Sequence, residues 1–115
     1  NDAQAFNNYA YSLVERGIEL EKALELASKA IEIEPNNASY LDTIGWIYYK
    51  KNNFKKAQYY IETSLTLNND NSVVLEHLGD IMMKINKTSD AMNFYRRALS
   101  IDKSNQRLKE KVSPE

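Results

Sequence analysis

YLDTIGWIYYKKNNFKKAQYYIETSLTLNND, residues 40–70, and VLEHLGDIMMKINKTSDAMNFYRRALSIDKS, residues 74–104, superpose without a gap. Gly45 falls on Gly79, Ala57 on Ala91, Tyr60 on Phe94 and Leu65 on Leu99, each pair 34 positions apart. Within each stretch the apolar residues recur at helical spacing. Leu41, Ile44, Ile47 and Tyr48 line one helix, and Ala57, Tyr60, Ile61, Ser64 and Leu65 line the next. Polar, Asn-rich runs separate them: Lys51-Asn52-Asn53 and Asn86-Lys87-Thr88 within the units, and residues 68–72 between them. Each unit is therefore a helical hairpin with an apolar face that it cannot cover alone. Stacking neighbours on one another buries a continuous core.

Residues 3–37 join the same register once one extra residue is allowed near Gly17–Leu20. Ala10 then takes the place of Gly45 and Gly79, and Ala23 and Ala30 open and continue the second helix before Pro35 ends it. The small side chains let paired helices approach at a range that Leu would forbid. Seven helices follow, at about 3–16, 20–33, 38–51, 54–67, 72–85, 88–101 and 105–112. The last reads as a short cap, with Leu108 and Val112 inward and Arg107, Lys109, Glu110 and Lys111 outward, or as the opening of a fourth unit.

A 34-residue period with two helices per unit resembles the tetratricopeptide repeat (TPR) over about nine-tenths of the chain. The motif residues are the small residue of helix A (Ala10, Gly45, Gly79), the large residue three later (Leu13, Tyr48, Met82), the Ala opening helix B (Ala23, Ala57, Ala91) and the small residue seven later (Ala30, Ser64, Ala98). LDTIGW (41–46) and LEHLGD (75–80) also look like blocks of bacterial repeat proteins, which points to a bacterial cytoplasm or envelope. Pro35 stands only after the first unit; Asn69 and Lys103 replace it later. The resemblance implies an all-α fold, a right-handed α-α superhelix of three repeats (3–37, 38–71 and 72–105) and a capping helix at 105–112, forming a single domain over 1–115. The chain opens on Asn1 rather than Met, which reads as an excised or processed form. Phe6 and Tyr9, uncovered at the start of helix 1, read as a face for an upstream repeat or for end-to-end self-association into a homo-oligomer.

What is known of the family places partner peptides on the concave side lined by the A helices. Carried onto this sequence, the groove comprises Asn7, Asn8, Tyr11 and Glu15, then Asp42, Thr43, Trp46, Tyr49 and Lys50, then Glu76, His77, Asp80, Met83 and Lys84. Tyr11, Trp46 and Tyr49 are large, amphipathic and not required by the repeat's own packing pattern, and Tyr and Trp are favoured interface anchors. The expected occupant is an extended or helical segment with an apolar or aromatic anchor and a basic neighbour. The carboxylate clamp of chaperone-tail TPR domains needs Lys and Arg donors. Its places here hold Asn7, Tyr11, Thr43, Val73 and His77, none of them a strong cation.

Other function classes find little support. One histidine and no cysteine exclude a His-rich or thiolate metal site, and no catalytic set or cofactor is expected. His77 reads as a partly exposed groove residue, and Ser39 and Ser72 as helix N-caps rather than nucleophiles. No phosphate-binding Gly-rich loop occurs among 3 glycines. The net charge of -1 offers no general attraction to nucleic acid, and the cluster Lys50, Lys51, Lys55 and Lys56 reads as a solvated turn. No apolar run approaches the roughly 20 residues that span a bilayer, so no membrane insertion is expected. The composition, 43% hydrophobic and 27% charged, is that of a globular chain.

Overall fold

The computed structural model describes residues 1–112; Pro114, read from sequence as part of the C-terminal tail, lies outside the described residues. These residues form seven helices and no strands: α1 (Asp2–Arg16), α2 (Leu20–Ile33), α3 (Ala38–Lys50), α4 (Phe54–Leu67), α5 (Ser72–Lys84), α6 (Thr88–Ile101) and α7 (Gln106–Lys111). Their ends agree with the sequence reading to within a residue. Each of the first six helices packs most extensively on its hairpin partner, and the hairpins then pack on one another, α2 on α3 and α4 on α5, while α7 packs on α6. The result is a 45 × 25 × 22 Å stack with the core running along it.

The caps come from asparagine. Asn37 accepts from the Tyr40 N–H, Asn71 from the Val73 and Val74 N–H groups, and Asn105 from the Leu108 N–H. These three stand 34 apart, so every helix that follows an inter-repeat turn begins the same way. The expectation that Ser39 and Ser72 cap their helices is corrected: each lies inside its helix, after the Asn that does the capping. The turns inside the hairpins also share one geometry. Asn52 (φ 64) and Asn86 (φ 66) are left-handed, and the N–H groups of Asn53 and Lys87 reach back to Tyr48 and Met82 carbonyls at 2.9 and 2.8 Å. In the first unit Gly17 (φ 68) does this, and the extra residue leaves Glu19 at φ 46 as well.

The small residues sit at the closest approaches. A Cβ on Gly45 would lie 2.3 Å from Ile61 Cγ1, and one on Gly79 would lie 2.3 Å from Tyr95 Cε1. Ala10, Ala23, Ala57 and Ala91 are fully buried. Ser64, which replaces Ala30 and Ala98, is buried too, and its hydroxyl donates to the Ala38 carbonyl at 2.7 Å. At the N-terminal end Phe6 is half-buried beside a small cluster of Ala3, Ala30 and Tyr40, and Tyr9 is exposed.

Candidate binding groove

α1, α3 and α5 stand side by side and present one face, and α7 closes its far end. The register explains why α7 belongs there. Arg107 lies 34 positions after Val73, and Lys111 lies 34 after His77, so both occupy groove-facing places of the next helix A. The expectation that Lys111 points outward is therefore corrected, since it is half-buried; Arg107 is exposed as expected, but its guanidinium turns onto α5. Arg107 donates from Nε and Nη2 to the two Glu76 oxygens at 2.7 and 2.8 Å. Lys111 Nζ reaches Glu76 at 2.6 Å and Asp80 at 3.0 Å. Leu108 is buried, and Val112 packs half-buried on the core, as expected.

Glu76 is buried and carries two cationic partners. The Arg107 hydrogen bonds, with help from Lys111, outweigh burial and hold its carboxyl down at about 2. Asp80, half-buried, also accepts from the Tyr95 hydroxyl at 2.6 Å; burial first, and that hydrogen bond second, push the phenol well above its ordinary value. Asp80 is thus tied to α5's own hairpin partner and to α7.

Trp46 forms the middle of the floor. Its ring stacks on His77 at 3.8 Å and on Tyr49 at 4.3 Å, and Lys50 Nζ lies over it at 5.3 Å. His77 Nδ1 is 2.9 Å from Asp42 Oδ1, which joins α5 to α3. Two expectations change here. Trp46 is 7% exposed, a packing residue of the inter-repeat contact, and His77, also at 7%, is buried rather than partly exposed. A tryptophan stack and a polar pair at the same crossing leave little freedom between repeats 2 and 3.

The structure sorts the expected groove residues by depth. Asn7, Asp42, Thr43, Trp46, Glu76 and His77 are buried; Tyr49 and Asp80 are half-buried; Asn8, Tyr11, Glu15, Lys50, Met83 and Lys84 are exposed. Over this floor lie two adjoining clefts that share Tyr11 and Val73. One, of about 470 Å³, is bounded by Glu15, Trp46, Asp80, Arg107 and Lys111. The other, of about 270 Å³, lies at the N-terminal ends of α3 and α5. A larger cleft of about 650 Å³ lies on the B-helix side between α4 and α6, where Glu62, Asp90, Lys87 and Arg97 mix their charges around Phe94. The residues missed by sequence reasoning are Arg107 and Lys111, which line the larger of the two adjoining clefts; continuing the 34-residue register into α7 places both on this face.

The lysine cluster at the second hairpin is partly engaged: Lys51 pairs with Glu21, Lys56 lies over Tyr48 and Lys50 over Trp46. Among the described residues no group of three or more His, Cys, Asp or Glu is placed to hold a metal ion, and no helix is long and apolar enough to cross a membrane.

A sequence model described as the tetratricopeptide repeat matches residues 38–71 and 74–105. A TPR repeat-containing protein of Pseudomonas aeruginosa is 32% identical over 80 residues, and Tetratricopeptide repeat protein 21A of Homo sapiens is 31% identical over 85. These alignments cover 70% and 74% of this chain but span only 13% and 6% of the two relatives. Among solved structures, the first TPR of Spaghetti (RPAP3), bound to the HSP90 peptide SRMEEVD, aligns with a TM-score of 0.87 at 16% identity, covering 96% of this chain and 87% of its own. The Sgt2 TPR domain from Aspergillus fumigatus aligns at 0.86 and 19%, covering 96% and 74%. At such identities the likeness is one of fold.

Proposed function

This chain belongs to the tetratricopeptide repeat family, and from that premise we propose that it is a protein-interaction module, without catalytic activity, that holds a peptide or protein segment along α1, α3 and α5. The observation that carries the reading is the pair of adjoining clefts meeting at the exposed Tyr11 and Val73, above a floor locked by the Trp46 stack and the Asp42–His77 pair. A rigid floor reduces the ordering cost of binding. Tyr11 supplies an amphipathic surface of the kind favoured at interfaces. Trp46 and Tyr49 support that surface from beneath. The first TPR of Spaghetti (RPAP3) is bound to the HSP90 peptide SRMEEVD; here Arg107 and Lys111, the cations lining the larger of the two clefts, are joined to Glu76 and Asp80.

Capture of a protein partner from a lysate, identified by mass spectrometry and then purified, tests the reading. Tyr11→Ala and Val73→Asp should each abolish capture, while Tyr59→Ala, at an exposed residue of α4, should leave it intact. Retention by both groove variants would overturn the proposal.

Self-association through Phe6 and Tyr9 has less to draw on. Phe6 is half-buried, and Lys29 and Lys22 lie over the Phe6 and Tyr9 rings at 5.6 and 5.0 Å. Light scattering decides it: a concentration-dependent oligomer lost in Phe6→Asp would favour this second reading.

A further inference from the structure

The smaller cleft, at the N-terminal ends of α3 and α5, has a chemistry of its own. It is lined by Asn7, Asn8, Tyr11, Asp42, Thr43 and Val73, among others, and no Lys, Arg or His lines it. Asn7 is 9% exposed, and its Oδ1 has no hydrogen-bond partner among the described residues. An orphaned buried acceptor costs roughly 1–3 kcal/mol, and the two-fold freedom of an amide about χ2 lets either end face the cleft. Beside it lies Asp42, a buried carboxylate whose Oδ1 meets His77. The Thr43 hydroxyl donates to the Ser39 carbonyl, which leaves its oxygen to accept.

The one formal charge lining this cleft is the Asp42 carboxylate. The α5 N-terminus would favour an anion, but its first N–H groups are bonded to Asn71. Burial, and after it the Glu15 and Asp42 carboxylates, hold the Tyr11 phenol above its ordinary value against an opposing contribution from Arg107. Arg107 and Lys111 line the neighbouring cleft, with Arg107 forked onto Glu76.

We propose that this cleft is a subsite for a basic side chain, arginine or lysine, carried by the segment bound in the groove. The proposal rests on the groove reading above and reverses the charge expected of a carboxylate clamp. The cationic head lies against Asp42, one of its N–H groups satisfies the Asn7 amide oxygen, and the Tyr11 ring covers the alkyl stem.

Titration of the isotopically labelled chain followed by amide and side-chain NMR tests this without knowledge of the natural partner. The probes are N-acetyl-arginine amide and N-acetyl-lysine amide, with N-acetyl-citrulline amide as the neutral isostere and N-acetyl-aspartate amide as the anion. The basic probes should shift the Asn7 side-chain amide and the signals of residues 42 and 43, saturating in the millimolar range. Citrulline should bind about tenfold or more weakly, the worth of a charge-assisted contact. Asn7→Leu, which removes the orphan, should remain folded and lose the response. Equal shifts from citrulline, preferential binding of the aspartate probe, or arginine shifts confined to other surfaces would each overturn the subsite. If the subsite fails while Tyr11→Ala and Val73→Asp still release the partner, the groove stands and only its charge preference falls.

Discussion

Arg107 of α7 grips both carboxylate oxygens of Glu76 on α5, at 2.7 and 2.8 Å, across a sequence separation of 31 residues. Glu76 is nearly inaccessible, with its side chain 7% exposed, whereas that of Arg107 is 62% exposed. The pair fastens a six-residue helix that is too short to persist alone.

Arg107→Ala should destabilise the chain by about 1–2 kcal/mol, between the worth of an exposed pair and that of a buried charged hydrogen bond. The linkage to pH follows from the depressed Glu76 carboxyl. Its contribution is complete above about 4.5, the ordinary value, and is lost as pH falls toward about 2. Urea unfolding of the parent and of Glu76→Gln checks the sign. Their difference should stay constant from neutral pH to about 5 and shrink below about 4.

The glycines give an ordered series. Gly79→Ala drives a methyl to 2.3 Å from the Tyr95 ring, whose hydroxyl is held by Asp80 at 2.6 Å, so the ring can move only by giving up that bond. Gly45→Ala meets the Ile61 side chain instead, which has rotamers to explore. Both should lower stability despite the roughly 1 kcal/mol helix preference for Ala, with Gly79→Ala the worse at about 2–3 kcal/mol. Thermal unfolding of the two variants side by side decides the order.

Asn71→Ala should cost about 1 kcal/mol, because two N–H groups of α5 lose their acceptor. Ser72→Ala, one residue later, should stay within about 0.5 kcal/mol. Denaturant midpoints that reverse this order would contradict the capping arrangement.

Trp46→Ala should cost about 3–5 kcal/mol by removing the stacked centre of the contact between repeats 2 and 3. Tyr11→Ala, at an exposed position, should cost less than about 1 kcal/mol. Trp46 is the one tryptophan, so its emission in the parent reports directly on the groove floor. Binding over Tyr11 should alter that emission, and a bound partner that leaves it unchanged would argue for another surface.

Much of the fold was legible before any coordinates. Gly45 and Gly79, Ala57 and Ala91, and the Asn-rich turns fixed the hairpins to within a residue of their ends, because close helix approaches and left-handed turns admit few residue types. The candidate site was less legible. Trp46 reads as an interface anchor when only its helical face is known, and its burial between His77 and Tyr49 shows only in the packing; Ser72 reads as a cap until Asn71 is seen to reach two N–H groups. Arg107 and Lys111 were legible in principle through the 34-residue register, but reading α7 as a solvated cap hid them.

The sequence by itself determined a stack of helical hairpins and which face of each helix looks inward. A period of small and large side chains does that through local sterics and burial alone. Only the tertiary structure decided that Asp42 meets His77, that Trp46 is sealed between His77 and Tyr49, and that Asn7 Oδ1 is left without a partner among the described residues while Glu76 has two. Those outcomes depend on how far one repeat turns against the next. A rotation of a few degrees moves side-chain ends by the ångström that separates a hydrogen bond from an orphaned group.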